Sequence, residues 1–410
     1  MLTLFVFGLT FVLIAGRRLR ALPIGRPAGA LLGAVGMVAV GALSPEDAYA
    51  AIDAGTIALL LAMMMLGAWL EEDGLMARGE AALTRGASSP FVVLTRVSLV
   101  SAALSAILVN DTVCVLMTPV VVQLCLRRGL PLVPFLITLA ASANLGSAAT
   151  QVGNPQNMLI ANMSGMSFLD FSLRCLPATL LCLIVQLGLL QFLYRDALAG
   201  ALQAPLQAQA ASHSPTRWSV ILVMFGVVLG FLLGLDLAWT ALGGVALMLL
   251  LRREDPRAIF ARVDWTLLVF FAALFVVVGG VERTGLLARG FAALAPILRF
   301  DTASGLAAVS AVVALGSNLV SNVPLVMLFG PYVEALSPTP LAWTVLAWTA
   351  TVAGNLTLVG SVANLIVAEA AREHHELGFW EYLRFGLLTT LSSLGLGVPM
   401  LVLVDALLGA

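Results

Sequence analysis

Long apolar runs separated by short polar breaks occupy most of the chain. Many of these runs approach the roughly 20 mainly apolar residues that a membrane-spanning helix needs. One longer polar stretch, residues 195–217, is rich in alanine, glutamine and serine and divides the apolar runs into two nearly equal sets. The pattern therefore predicts two halves, residues 1–194 and 218–410, joined by a linker over residues 195–217.

The two halves repeat the same sequence features in the same order. Residues 73–83 match residues 284–294 at an offset of 284 − 73 = 211. Residues 150–157 match residues 357–364 at an offset of 357 − 150 = 207. Because several matches follow one another in register, the chain is predicted to contain an internal duplication.

One apolar segment in each half is interrupted by a polar tip. In the first half, arms of 13 and 14 residues (97–109 and 113–126) flank a tip at residues 110–112. A helix of 13 residues is about 20 Å long, whereas the hydrocarbon core of a membrane is about 30 Å thick. We therefore expect a re-entrant hairpin here, and an equivalent one over residues 303–337 with its tip at residues 321–324.

A second segment in each half is long enough to span but is broken in its middle. Glycines and Pro155 interrupt the apolar run 132–163 over residues 146–157, and residues 354–364 form the equivalent break. Glycine and proline disfavour a continuous helix. Irregular backbone at membrane depth survives only where protein or a water-filled cavity satisfies its polar groups. We expect both breaks to face such a cavity.

Together these features predict an all-α polytopic membrane protein with two inverted repeats. Each repeat would contain about five transmembrane helices, one of them unwound, and one re-entrant hairpin. Arginine clusters within residues 17–26, 127–128 and 252–262 are expected in the cytoplasm, which places the linker in the cytoplasm and the N-terminus outside. Because each half has five spans, an odd number, the second half is inverted relative to the first. The expected location is the plasma (inner) membrane.

Composition narrows the class of protein further. Of the 410 residues, 60% are hydrophobic and 10% are charged, whereas soluble domains carry about 25% charged residues. This excludes a soluble enzyme and a nucleic-acid-binding protein. The sequence shows no nucleophile–base pair and no metal-ligand cluster, so we expect neither catalysis nor a cofactor. A passive channel is disfavoured by the broken, inverted repeats.

Polar residues at the tips and breaks form the predicted binding site. Inverted repeats with discontinuous helices are typical of secondary transporters, which bind their solutes near the membrane midplane. Helix N-termini favour an anion, and carbonyl or side-chain oxygens can coordinate sodium. The predicted substrate- or ion-binding residues are Asn110, Asp111, Thr112, Asn144, Ser147, Thr150, Gly153, Asn154, Pro155, Asn157, Ser321, Asn322, Asn355, Thr357, Gly360, Ser361 and Asn364. The candidate sodium ligands among them are Asn110, Asp111, Thr150, Gly153, Ser321, Asn322, Thr357 and Gly360.

Asp111 is the acidic residue whose position most needs a functional explanation. A carboxylate inside a membrane is costly and usually serves binding or proton transfer. Asp111 could bind a cation or carry a proton; the alternative is that it only caps the second hairpin arm, since aspartate is a preferred N-cap residue. The repeat places neutral Asn322 at the equivalent position, so a charge-coupled site would be one-sided.

The tips and breaks resemble those of the ion transporter superfamily, which includes citrate and arsenite permeases, the melanosomal P-protein type and divalent-anion/sodium symporters. The symporters carry Ser-Asn-Thr at both tips, whereas the first tip here is Asn110-Asp111-Thr112, which is more similar to the arsenite-permease and P-protein branch. The resemblance implies elevator-like movement of a transport domain against a scaffold domain. It also implies a homodimer, as in symporter members.

The sequence thus predicts a secondary active transporter of a small anion or oxyanion of carboxylate, sulfate-like or arsenite-like chemistry. Transport would be coupled to sodium or protons by alternating access. The alternative is a sodium/proton antiporter of the same superfamily. The expected partners are the small anionic solute, the lipid bilayer and a second copy of the chain.

Overall fold

A computed structural model describes residues 1–15, 25–72, 83–200, 202, 218–253 and 255–409. Helices and short turns make up this described part, and it contains no β-strand. The main helices of the first half are Leu2–Ala15, Arg26–Ala39, Ala54–Glu72, Pro90–Ile107, Asn110–Arg128, Leu132–Ser147, Pro155–Ser164 and Phe168–Leu193. Those of the second half are Trp218–Leu232, Leu237–Arg252, Trp265–Glu282, Ala303–Val320, Asn322–Phe329, Pro340–Ala353, Val362–Ala370 and Phe379–Leu408. Shorter helical segments are Pro45–Ala50, Arg195–Leu198, Pro256–Phe260, Leu286–Leu294, Gly330–Tyr332 and Val333–Leu336.

The all-α fold of a multi-pass membrane protein is confirmed. Six of the described helices are long and apolar enough to cross a membrane. They are Ala54–Glu72, Pro90–Ile107, Phe168–Leu193, Trp265–Glu282, Ala303–Val320 and Phe379–Leu408. The elements follow one another in the same order in both halves: two apolar helices, a longer third one, a hairpin, a broken helix and a final long helix.

Ion pairs at both ends of two equivalent helices show that these helices run in opposite directions. At one end, Arg262 precedes the helix Trp265–Glu282 and pairs with Glu71 and Glu72, the last residues of the helix Ala54–Glu72, at 3.1 and 3.2 Å. At the other end, Arg283 pairs with Asp47 at 2.6 Å. The start of each helix therefore lies beside the end of its repeat partner.

The final helices of the two halves pack against each other in the same antiparallel manner. Arg174, near the start of Phe168–Leu193, pairs with Asp405, near the end of Phe379–Leu408. Halfway along, the Cys182 thiol lies 4.0 Å from the carbonyl oxygen of Ser393. In both of these pairs the equivalent helices of the two halves are antiparallel, as an inverted second half requires.

The hairpin arms are longer than the sequence pattern predicts. The first hairpin consists of Pro90–Ile107 and Asn110–Arg128, with 18 and 19 residues; the second begins with Ala303–Val320 and turns at Ser321. The predicted 13-residue arm was wrong, because the helix extends through Arg96 back to Pro90. The Arg96 guanidinium donates to the carbonyls of Leu83 and Arg85, at 3.1 and 2.8 Å.

An arm of 18 residues is about 27 Å long, so the short-arm argument for re-entrance no longer holds. The position of the tip supplies a different argument. The backbone N–H of Asn110 donates to the Gly153 carbonyl at 2.9 Å, and Gly153 lies in the break of the first broken helix (Leu132–Ser147 and Pro155–Ser164). The tip therefore lies beside the middle of a broken helix whose two parts together are long enough to span a membrane.

Both breaks are shorter than predicted. The first covers only the residues between Ser147 and Pro155, and the second those between Ala353 and Val362 in the second broken helix (Pro340–Ala353 and Val362–Ala370). Pro155 begins a helix instead of interrupting one, because a proline at the first helical position has no amide hydrogen to leave unpaired. Asn157 and Asn364 accordingly lie in the first turns of helices, beyond the unwound backbone.

Some predictions fall on residues outside the described part of the chain. These are the repeat motif at residues 73–82, the arginines at positions 17, 18 and 20, and most of the predicted linker.

Candidate functional site

The two broken helices pack against each other across the boundary between the halves. Leu132–Ser147 contacts Val362–Ala370, and Pro340–Ala353 contacts Pro155–Ser164. These contacts between the halves bring both breaks and both hairpin tips into one region of the molecule. The predicted polar residues, which are far apart in sequence, therefore meet in the tertiary structure.

An asparagine closes each break by the same pair of hydrogen bonds. The Asn157 side-chain amide donates to the carbonyls of Ser147 and Thr150, at 3.2 and 2.9 Å. In the second half, Asn364 donates to the carbonyls of Gly354 and Thr357, at 2.7 and 3.0 Å. The offset between the two sets is 207 residues throughout. These side chains satisfy carbonyls that the unwinding leaves without helical partners.

Asn144 joins the two halves and the first tip. It is 1% exposed, and its amide nitrogen donates to the side-chain oxygens of Asn355 and Asn364, at 2.8 and 3.0 Å. Its oxygen accepts from the side-chain nitrogen of Asn110 at 2.9 Å and from the Ser361 hydroxyl at 3.1 Å. One buried side chain thus holds the first hairpin tip against the second break.

The reciprocal position is Thr351, which the sequence analysis missed. Its hydroxyl accepts from the side chains of Asn154 and Gln156, at 3.3 and 3.1 Å, and donates to Asn157 at 3.4 Å. The repeat offset could have identified it, since 351 − 144 = 207.

Gly153 is required by close approach of the backbone. A Cβ atom at this position would overlap the Ser147 carbonyl and lie 2.7 Å from the Ser105 carbonyl. The unwound segment therefore packs directly on the first hairpin arm, and the Thr150 hydroxyl strengthens this contact by donating to Ala106 at 2.6 Å.

A small cavity, which we call the central cavity, lies where the tips meet the helices that follow the breaks. Its described lining is Asn110, Asp111, Pro155, Gln156, Phe270, Phe271, Ser321, Asn322, Val323, Ser361 and Val362. The space open to the centres of water-sized molecules is about 30 Å³, which is room for one or two waters. Phe270 and Phe271 were also missed; they come from the antiparallel helix Trp265–Glu282, and only the tertiary fold brings them here.

Asp111 is the only charged residue in the described lining of the central cavity. It lies in the first turn of Asn110–Arg128, but Val109 is the N-cap and no side chain caps this helix. The alternative that Asp111 serves as a cap is therefore wrong. Its carboxylate makes no hydrogen bond to any residue that the structure describes.

Two further oxygens at the central cavity have no partner within the described part of the chain. They are the side-chain amide oxygens of Asn110 and Asn322, both buried. Buried acceptors without donors are unfavourable by about 1–3 kcal/mol each. The cavity therefore presents three acceptor groups, including Asp111, that a cation, a proton donor or water would satisfy.

The predicted site residues divide into two groups. Six of them line the central cavity: Asn110, Asp111, Pro155, Ser321, Asn322 and Ser361. The others surround it and mainly hold the tips and breaks in place: Thr112, Asn144, Ser147, Thr150, Gly153, Asn154, Asn157, Asn355, Thr357, Gly360 and Asn364. Among the candidate sodium ligands, Thr150 and Thr357 already use their hydroxyls as donors, the latter to Asn318 at 3.0 Å.

Paired broken helices and hairpin tips around a small polar cavity are features of secondary transporters, and they define the class of this protein as a membrane transporter. The citrate transporter family profile matches residues 9–353. The chain is 34% identical to the silicon efflux transporter LSI3 of rice (Oryza sativa subsp. japonica), with 96% of each chain covered. It is 30% identical to the putative transporter arsB of Dictyostelium discoideum, covering 98% of this chain and 92% of the relative.

The chain therefore belongs to the citrate transporter family, and the resemblance drawn from the tips and breaks is confirmed. Among solved structures, it shares its fold with the YdaH transporter of Alcanivorax borkumensis, with a TM-score of 0.56 and 18% sequence identity. That similarity covers 100% of this chain and 97% of the other. The relatives are named as transporters, so the expectation that the chain is not an enzyme is also confirmed.

Proposed function

We propose that the chain is a secondary active transporter that moves a small anion or oxyanion by alternating access, coupled to sodium or protons at Asp111. The observation that carries this proposal is the central cavity, where both tips meet around one unpaired carboxylate. Helices Pro155–Ser164 and Val362–Ala370 begin at this cavity. The partial positive charge at these helix N-termini favours an anion there.

The charge of Asp111 gives a reason for coupling. Two unit negative charges about 4 Å apart repel by roughly 4 kcal/mol at an effective dielectric constant of 20. The described lining offers no basic side chain to offset this repulsion. A sodium ion or proton on Asp111 would remove it, so anion and cation would bind more tightly together than separately.

The names of the relatives suggest which solutes to try first. The family is named for citrate and the rice relative for silicon efflux, and the first tip resembles those of arsenite permeases. We infer a solute of this oxygen-rich type for the present chain. Because the central cavity has room for only one or two waters, the tips must move apart before such a solute can enter.

A sodium/proton antiporter is the second candidate, favoured by the chemistry of the unpaired acceptors at the central cavity. Asp111 and the unpaired oxygens of Asn110 and Asn322 are all acceptors, which suit sodium and a proton binding in alternation. Sodium-for-proton exchange by vesicles in the absence of any other solute would favour this candidate.

The decisive experiment uses purified protein in proteoliposomes. Uptake of citrate, silicic acid and arsenite is measured under an imposed sodium gradient, an imposed pH gradient, or neither. We expect one of these solutes to accumulate under one gradient. Asp111→Asn should abolish gradient-driven accumulation while leaving solute exchange at equal concentrations, because the amide keeps the shape of the side chain without its charge.

Asp236→Asn is the matched control, since Asp236 is an exposed N-cap residue and asparagine caps equally well. It should accumulate solute like the unmodified protein. The coupling role is wrong if Asp111→Asn retains the full sodium or pH dependence.

A further inference from the structure

A second and larger cavity lies on the other side of the second hairpin tip. It is formed by the end of the helix Leu2–Ala15, by Arg26, by residues 318–321 and by Val359. The space open to the centres of water-sized molecules is about 170 Å³, compared with about 30 Å³ in the central cavity. We call it the Arg26 cavity.

Arg26 is the charged residue in the described lining of this cavity, and no acidic side chain accompanies it there. Its Nε atom is buried and has no hydrogen-bond partner within the described part of the chain. Arg26 is half-buried, and a buried N–H donor without a hydrogen-bond partner is unfavourable. The planar set of N–H donors of its guanidinium matches the oxygens of a carboxylate or an oxyanion.

The side-chain amide of Asn318, which also lines the cavity, does not accept a hydrogen bond from Arg26. Asn318 donates to the carbonyls of Ala314 and Ala353, at 3.0 and 2.9 Å, and its oxygen accepts from Thr357 at 3.0 Å. These bonds hold the second hairpin onto the second break and use the polar atoms of Asn318. Among the described residues, the Nε–H of Arg26 therefore remains open to a ligand that enters the cavity.

Ser321 lines both cavities. Its backbone has φ 77° and ψ 159°, a region that only glycine occupies without strain. The corresponding turn of the first hairpin is unstrained, since Leu108 and Val109 are both extended. Because the strain is confined to the second tip, we infer that this tip, which separates the Arg26 cavity from the central cavity, is the element that changes conformation.

We propose that the Arg26 cavity is a second, oxyanion-binding site, from which the solute reaches the central cavity past Ser321. The anion site stands on Arg26 and its cavity alone, whereas its role in delivery rests on the proposed function. On the orientation predicted from the arginine clusters, Arg26 lies toward the cytoplasm, so the site would receive solute from that side.

Binding is tested with inorganic sulfate on the full chain in an uncharged detergent. Thermal unfolding is followed with increasing sulfate, and with chloride at matched ionic strength. A ligand that binds only the folded protein raises the unfolding midpoint, so sulfate should raise it more than chloride. Arg26→Gln should lose this difference, and Arg26→Lys should retain part of it.

Two control variants separate this site from other charges. Arg195→Gln removes an exposed arginine and should respond to sulfate like the unmodified chain. Asp111→Asn should also respond, because the Arg26 cavity does not include Asp111. The proposal is overturned if the unmodified chain shows no specific response to sulfate, or if Arg26→Gln responds fully.

A lipid headgroup offers the same oxyanion chemistry, so a further measurement compares micelles containing phosphatidylglycerol or phosphatidylcholine. An Arg26-dependent rise in the unfolding midpoint with phosphatidylglycerol, and no rise with sulfate, would make this a lipid site and overturn the proposal.

Delivery of solute to the central cavity is tested by uptake of the solute that proteoliposomes accumulate. Arg26→Gln should raise the KM of this uptake at least about tenfold and leave kcat nearly unchanged. An unchanged KM overturns delivery alone, and a chain that moves none of the solutes but binds sulfate through Arg26 overturns only the proposed function.

Discussion

At the scale of single residues, the two hairpin tips have diverged in charge and in strain. Asp111 is acidic where the repeat has the neutral Asn322, and the second tip carries a strained serine where the first is relaxed. Each tip thus has one property that the other lacks. We attribute coupling to the charged tip and movement of solute between cavities to the strained one.

Replacement of Ser321 tests the strain. Ser321→Gly and Ser321→Ala both remove the hydroxyl, but only glycine relaxes at φ 77°. We expect the glycine variant to be more stable than the alanine variant by about 1–2 kcal/mol, measured by thermal unfolding in detergent. Equal stability of the two variants would show that this backbone conformation is not strained.

At the scale of helices and loops, a buried amide network sets the position of both breaks. Asn144 and Thr351 occupy equivalent positions, and each contacts the break of the opposite half. The network therefore stabilises the pairing of the two broken helices as well as the shape of each one.

Truncation of Asn144 should disrupt this network. Asn144→Ala leaves the polar groups of Asn110, Asn355 and Asn364 without their shared partner, and each unsatisfied buried group is unfavourable by about 1–3 kcal/mol. We expect a loss of at least about 2 kcal/mol in the free energy of unfolding, measured by denaturation in detergent.

The control for this prediction is Asn162→Ala, which removes the bonds of an exposed asparagine to Asp53 and Thr56. Water can replace those bonds, so the effect should be much smaller. A similar loss in both variants would contradict a special role for the buried network.

At the scale of the whole molecule, the proposed alternating access predicts that the hairpins and broken helices move against the antiparallel pair Ala54–Glu72 and Trp265–Glu282. The first hairpin contacts this pair where Thr112 meets Gly67. A Cβ atom at Gly67 would lie 3.8 Å from the Cβ atom of Thr112, which is within the range of disulfide geometry.

A double substitution, Gly67→Cys with Thr112→Cys, tests this movement. Oxidation should join the two elements and abolish solute uptake by proteoliposomes, and a reducing agent should restore it. Each single-cysteine variant serves as a control and should be insensitive to oxidation, because the four native cysteines are buried. Full uptake by the cross-linked protein would show that transport does not need relative motion at this contact.

Much of the architecture was predictable because the signals for it are local. Polar residues within apolar runs located both tips and both breaks, and the repeat offset paired them. The lengths of the hairpin arms were not predictable in this way, because hydropathy counts only the apolar residues. The first arm continues through Arg96, whose long side chain reaches carbonyls beyond the apolar segment.

The sequence by itself determined the membrane environment, the two related halves, the family resemblance and Asp111 as the exceptional charge. Hydropathy, repeats and motifs are properties of neighbouring positions, so they can be read along the chain. Only the tertiary structure decided which polar residues line the central cavity and which hold it in shape. It also brought Phe270, Phe271 and Arg26 to the second hairpin tip, because those contacts depend on how helices distant in sequence pack together.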